Sequence, residues 1–173
     1  MELKKGYYFT MDSIIAGGII LILIMLTSSF YVKEQSTFHL NYLSQDLIRV
    51  LGTSTVGEIK NGYTNALIND MTITNLKNTV LEQIGEFWAE NEMILANKTA
   101  SNVTSPWVSN TTGVGIWINN ETIYNKDVPI KKSLVSSKKI ISGIKKGQPS
   151  GSGSRQNPPA LWGPAIVEVR VWE

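Results

Sequence analysis

The chain has no cysteine and a single histidine among its 173 residues. The first absence removes disulfides, thiolate metal sites and thiol nucleophiles. The second leaves His39 without the partners that a triad or a histidine-rich metal centre needs, and a polar helix position beside Phe38 accounts for it. Excess charge is also scarce. A formal net charge of +2 is too small to imply a polyanionic partner. Lys126, Lys131, Lys132, Lys138, Lys139, Lys145 and Lys146 make one stretch locally basic, as lysines on a solvated face do, and no nucleic-acid partner is expected. The glycine-rich stretch Gly147 to Gly153 lacks the lysine and the strand-to-helix setting of a phosphate-binding loop. Catalysis is not expected, and neither is a metal or an organic cofactor.

The apolar residues are unevenly placed. From Gly6 to Val32 the only charge is Asp12, and Ile14 to Leu26 reads IIAGGIILILIML. About 20 helical residues cross a hydrocarbon core, so this run is long enough to span one. Lys4 and Lys5 precede it, whereas Lys33 and Glu34 cancel after it, which places the N-terminus in the cytoplasm and the rest outside. Thr27-Ser28-Ser29 imitates a signal-peptidase site, but the helical pattern runs through it. Leu40, Leu43, Leu47 and Leu51 then recur at three-and-four spacing, as if one helix begins in lipid and ends in water.

Lys4-Lys5-Gly6 directly before Tyr7-Tyr8-Phe9-Thr10-Met11-Asp12 and the apolar run resembles the type III signal of type IV pilins, above all archaeal pilins and pilin-like proteins. The tract Leu43 to Leu51 is similar to stretches in archaeal surface proteins of that kind, and the likeness covers roughly the first 55 residues. It implies that a membrane aspartic peptidase cuts between Gly6 and Tyr7, and that the helix serves first as anchor and then as polymer core. Asp12 would be the sixth residue of the processed chain, where many bacterial pilins carry the acid at the fifth.

Two features of the apolar run have alternative readings. Asp12 meets a positive group of a neighbouring copy, such as its N-terminal amine, or else Thr10 or Asp12 caps the helix start, where an acid also complements the helix dipole. Gly17 and Gly18 either permit close approach or local loosening between subunits, or are simply tolerated in lipid.

Beyond Leu51 the residues Thr53, Ser54, Thr55, Gly57 and Asn61-Gly62 interrupt the pattern. Leu76, Val80, Ile84, Phe87, Trp88, Ile94 and Leu95 predict a second helix of about 25 residues. Residues 97–125 then read as a loop crowded with N-glycosylation sequons at Asn97, Asn102, Asn110 and Asn120, in agreement with outside placement. Side-chain hydrogen bonds in turns are the plainer use of so many Asn and Thr residues. Val114 to Tyr124 reads as a hairpin turning at Asn119-Asn120, Leu134 to Ile144 as strand or helix, and residues 147–159 as a Gly/Ser/Pro loop. Val167, Val169 and Val171 alternate with Glu168 and Arg170 as a half-buried strand.

The expected fold is α+β: a long N-terminal hydrophobic helix, then a small head with a second helix and a short antiparallel β-sheet. Residues 1–6 form a leader, 7–56 the helix and 57–173 an extracellular head. The expected function is a structural subunit of a pilus-like filament at the cell surface, displaying N-linked glycans and serving attachment. Its partners would be identical copies, the membrane before assembly, a pilus assembly platform and a prepilin peptidase. A minor pilin, a monomeric anchored binding module and a secretion or envelope accessory protein are the alternatives.

Overall fold

The computed structural model describes residues 3–126, 128–129, 133–145 and 160–173, without the side chains of 3–9 and 29–37. The loop expected at 147–159 lies outside the described residues. The chain divides into two compact units, Met1–His39 and Leu40–Glu173. The boundary falls before the one drawn at residue 57, because Leu40, Leu47, Ile48 and Leu51 belong to the core of the second unit.

Helix α1 spans Leu3–Leu51 without a break, Gly17-Gly18 and Thr27-Ser28-Ser29 included. Nothing upstream of Thr10 stops it, since no proline intervenes and an isolated glycine costs only about 1 kcal/mol. Within it, Thr10–Ser28 has a mean hydropathy of 2.1 over 19 residues. At 1.5 Å per residue this is about 28 Å of helix, close to the thickness of a bilayer core. The Thr27 hydroxyl donates to the carbonyls of Leu23 at 2.8 Å and Ile24 at 3.0 Å, so it leaves no loose polar group there.

The second unit is an α+β sandwich of helices on one face of a four-stranded antiparallel sheet, in the order β2-β1-β4-β3. The strands are β1 Gly113–Ile118, β2 Glu121–Asn125, β3 Leu134–Lys145 and β4 Ala160–Trp172. The segment left open between strand and helix is therefore β3. The Val-rich end of the chain lies between β1 and β3, with Val167, Val169 and Val171 fully buried opposite Val114, Ile116 and Ile118. Asn119 and Asn120 turn the β1–β2 hairpin at φ values of 48° and 69°, a left-handed pair that asparagine tolerates.

The end of α1 meets the same core. Leu40, Leu47 and Leu51 of its stripe are buried and Leu43 is partly so, Ser44 Oγ lies 2.9 Å from Ser137 Oγ on β3, and Lys139 Nζ donates to the Gly52 carbonyl at 2.8 Å. That ammonium caps the negative end of the helix dipole. The bridge Thr55–Thr79 then ties the following chain to the start of the next long helix.

The single helix expected near residues 76–97 is two. Helix α3, Val80–Ala89, starts in a reciprocal capping box between Thr79 and Glu82; helix α4 spans Met93–Thr104. Between them Asn91 adopts φ 62°, its amide donates to the Trp88 carbonyl, and the Glu92 amide donates to that of Phe87. This bond pair is a Schellman stop, which ends a helix whatever the apolar spacing beyond it. A short helix, α2 at Gly62–Asn69, forms where an interruption was read; Asn61 caps it by accepting from the Thr64 amide.

Gly85 sits on α3 where a Cβ would collide with the Trp162 ring and with Ile141. Alanine there gains about 1 kcal/mol of helix propensity and forces a packed indole to move, at a typical cost of 1 to 3 kcal/mol. Overpacking wins. Gly85→Ala should lower the thermal midpoint of the full chain in detergent by several degrees, and an unchanged or raised midpoint would show the Trp162 contact to be loose.

Candidate functional site

Among the described residues, the apolar stretch of α1 is unlike any other surface. Met11, Ile14, Ile15 and all seven residues from Ile20 to Leu26 are exposed, at 45 to 71%, and they point to every side of the helix. None of the span is covered within its own chain. A helix apolar all round is stable only in an apolar surround. Asp12 lies well inside α1, which has no acid in its first turn. The capping role considered for Thr10 and Asp12 is thereby overturned, since both sit beyond the first turn of a helix that begins at Leu3. The carboxylate is left as the one acidic side chain in or beside the span. Gly17 and Gly18 have open space where a Cβ would stand, so nothing in this chain requires glycine at either position. The backbone of Lys4, Lys5, Gly6 and Tyr7 is helical; their side chains lie outside the description.

The four sequons fall in different settings, and residues 97–125 are not one loop. Asn97 and Asn102 lie on α4, where Ala96, Thr99, Ala100 and Val103 are buried at helical spacing. Small and threonine side chains form this stripe, which is why composition alone read as a loop. The Asn97 side-chain amide donates to the Ile123 carbonyl at 2.9 Å, tying α4 to β2, and that of Asn102 donates to Lys98 at 2.8 Å. Asn110 follows a 3-10 turn at Ser105–Trp107, and Asn120 is at the tip of the β1–β2 hairpin.

Two further surfaces are chemically distinct. A cavity of about 300 Å³ is lined by Leu51, Ile59 and Val103, with Glu58, Lys60 and Trp107 among the residues of its wall. Trp107 is 59% exposed, which is large for an indole. Glu58 accepts from the Thr55 amide at 2.8 Å, and this backbone bond holds its carboxyl below the usual value. The arrangement can bind an amphipathic group. On the outer face of the sheet, Arg170 lies 4.2 Å from the centre of the Trp117 ring and donates to Glu168 at 3.0 Å, while Lys138 is 3.7 Å from the same carboxylate. Three of the lysines in the basic stretch therefore have specific partners: Lys138 with Glu168, Lys139 with the Gly52 carbonyl, and Lys126 with the Ser109 carbonyl. Lys131, Lys132 and Lys146 lie outside the described residues. Among the described residues no group of three His, Asp or Glu side chains is placed to hold a metal ion.

No family model, curated protein or solved structure matches the chain.

The hydrogen bond from Arg170 lowers the Glu168 pKa; burial opposes it, and Ser136 and Lys138 act in the same direction as Arg170. A carboxyl with a depressed folded pKa stabilises the fold above its ordinary value of 4.5, and that stabilisation disappears as pH falls from there through the folded value. The thermal midpoint of the full chain should drop on acidification below about pH 4.5, and Glu168→Gln should remove part of that drop. Parallel pH profiles for the two chains would contradict the assignment.

Proposed function

We propose that the chain is a structural subunit of an extracellular, type IV pilus-like filament, anchored in the membrane by the Thr10–Ser28 segment until the same segment enters a bundle of identical helices. The observation that carries this reading is the all-round apolar surface of that segment, uncovered by its own chain. Lipid covers it before assembly and neighbouring copies cover it afterwards, with van der Waals packing and lipid release favouring the exchange. The resemblance of Lys4 to Asp12 to an archaeal prepilin signal supports processing between Gly6 and Tyr7. Because this bond lies in helical backbone, cutting requires the first turns of α1 to open, which a terminal helix segment containing glycine does at low cost.

Cutting there would offer Asp12 a positive group that exists only in processed copies. A carboxylate in an apolar bundle costs several kcal/mol unless a positive group meets it, and the α-amine freed at Tyr7 of a neighbouring copy is such a group. Gly17 and Gly18 let a neighbouring helix approach closely. Outside, the folded unit bears the sequons and forms the filament surface, through which attachment would act.

A monomeric anchored binding module is the second reading, favoured by the cavity beside the exposed Trp107. The two separate on material sheared from the cell surface, analysed by intact mass, N-terminal sequencing and negative-stain imaging. A subunit begins at Tyr7 and forms uniform filaments; a chain beginning at Met1 without filaments is the anchored module. Asp12→Asn and Gly18→Leu should each cut filament yield about tenfold or more, a loss of roughly 1.4 kcal/mol per subunit, with an unchanged melt of the folded unit. Normal filament yield from both variants would remove these residues from the assembly surface.

A further inference from the structure

The four sequons are equivalent as text, and the fold makes them unequal. Transfer of an N-linked glycan requires a free asparagine amide and a reachable threonine hydroxyl two residues on, held together in extended or turn backbone. In three sequons that threonine is buried: Thr99 is 2% exposed, Thr104 fully buried and Thr112 4% exposed. Asn97 and Asn102 also sit on helix α4 with their amides already donating to carbonyls. The fourth differs in every respect. Asn120 is exposed at the hairpin tip with φ 69°, and Thr122 is exposed on β2, an edge strand.

The surface next to Asn120 is also shaped. A cleft of about 290 Å³ is lined by Asn119, Asn120, Lys138, Ile166 and Glu168. Asn119 holds the tip against β4, its side-chain oxygen accepting from the Ile166 amide at 2.9 Å and its own amide donating to the Ile166 carbonyl at 2.9 Å. Ile166, 51% exposed, pairs directly across the strands with Ile140, 68% exposed, so two isoleucines lie open on the outer face of the sheet. One exposed isoleucine beside a Lys138–Glu168 ion pair suits a sugar ring, which offers an apolar C–H face and a polar edge. The volume is near the lower end for small-ligand sites, about 300 to 1,000 Å³, as suits the first sugars of a tethered chain.

We propose that Asn120 is the glycan acceptor of the folded chain and that its first sugars lie in this cleft, over Ile166 and beside the Lys138–Glu168 ion pair. The donor is a lipid diphosphate-linked oligosaccharide: the Asn120 amide nitrogen bonds to the sugar's anomeric carbon, the bond from that carbon to phosphate oxygen breaks, the lipid diphosphate leaves, and the amide gives up one proton. The inference rests on the outside placement of the folded unit and not on polymerisation.

The test is glycopeptide mass spectrometry on full-length protein from its own host, with negative-stain imaging of the same fraction. Asn120 should be occupied on most copies and Asn97, Asn102 and Asn110 on few. Asn120→Gln and Thr122→Val should each remove the Asn120 sugar, the second leaving the turn residues intact. Lys138 should react several-fold more slowly with an amine-acylating reagent in the glycosylated chain than in Thr122→Val. A bare Asn120, with or without sugar at the other three sites, would overturn the proposal, as would an occupied Asn120 with unaltered Lys138 labelling. Filaments carrying a bare Asn120 would sink this inference and leave the filament reading standing; an occupied Asn120 without filaments would do the reverse.

Discussion

Eleven large apolar side chains between Met11 and Leu26 are exposed within their own chain. At typical transfer values their removal from water is worth on the order of 10 to 20 kcal/mol. A domain of this size holds its fold by roughly 5 to 15 kcal/mol. The surroundings of α1 therefore decide where the molecule resides at least as strongly as folding decides its shape. Lipid meets the demand, and so does a bundle of like helices. Exchange between the two is the physical basis of the filament reading.

Charge and small residues then act as modifiers. In an apolar surround a carboxylate is costly alone and favourable when paired, so Asp12 can report register in a way that no isoleucine can. Glycine lets two helix backbones come close. The same logic of compensation operates in the second unit, where Lys139 caps the end of α1 and Arg170 bridges Trp117 and Glu168 on the solvent face of the sheet. These basic side chains act locally, each on a specific acceptor or ring.

Much of this was legible in residue order because strong periodicity survives translation into structure. The apolar run, the leucines from Leu40 to Leu51, the Asn119-Asn120 turn and the alternating valines of β4 all appear where spacing placed them. Two of the misreadings share a cause, which is that backbone stops and caps outweigh side-chain pattern over a few residues. Asn91 breaks a continuous apolar stripe through a Schellman stop, and Asn61 starts a helix where punctuation suggested a loop. The Thr79–Glu82 box was a readable start signal, three residues apart and just ahead of Ile84. Helix α4 was hidden because alanines and threonines carry its buried face. For the candidate site, the apolar span and the sequons were visible in the sequence, whereas the inequality of the sequons was not. It depends on which threonine the fold buries, and that requires three-dimensional neighbours.

The absence of cysteine offers a direct measurement of what covers the apolar helix. Pairing of Asp12 with a neighbour's Tyr7 amine brings residues five apart to one level, so cysteines introduced at the exposed Ile15 and Ile20, singly and together, place matching thiols on neighbouring copies, and oxidation of intact cells followed by non-reducing electrophoresis reads the neighbours. Polymerisation in that register predicts disulfide-linked dimers and a ladder of higher multiples from the double variant, and monomers from each single one. Monomers throughout, under conditions that oxidise a control pair, would mean that the helix meets only lipid and that the chain does not polymerise through it.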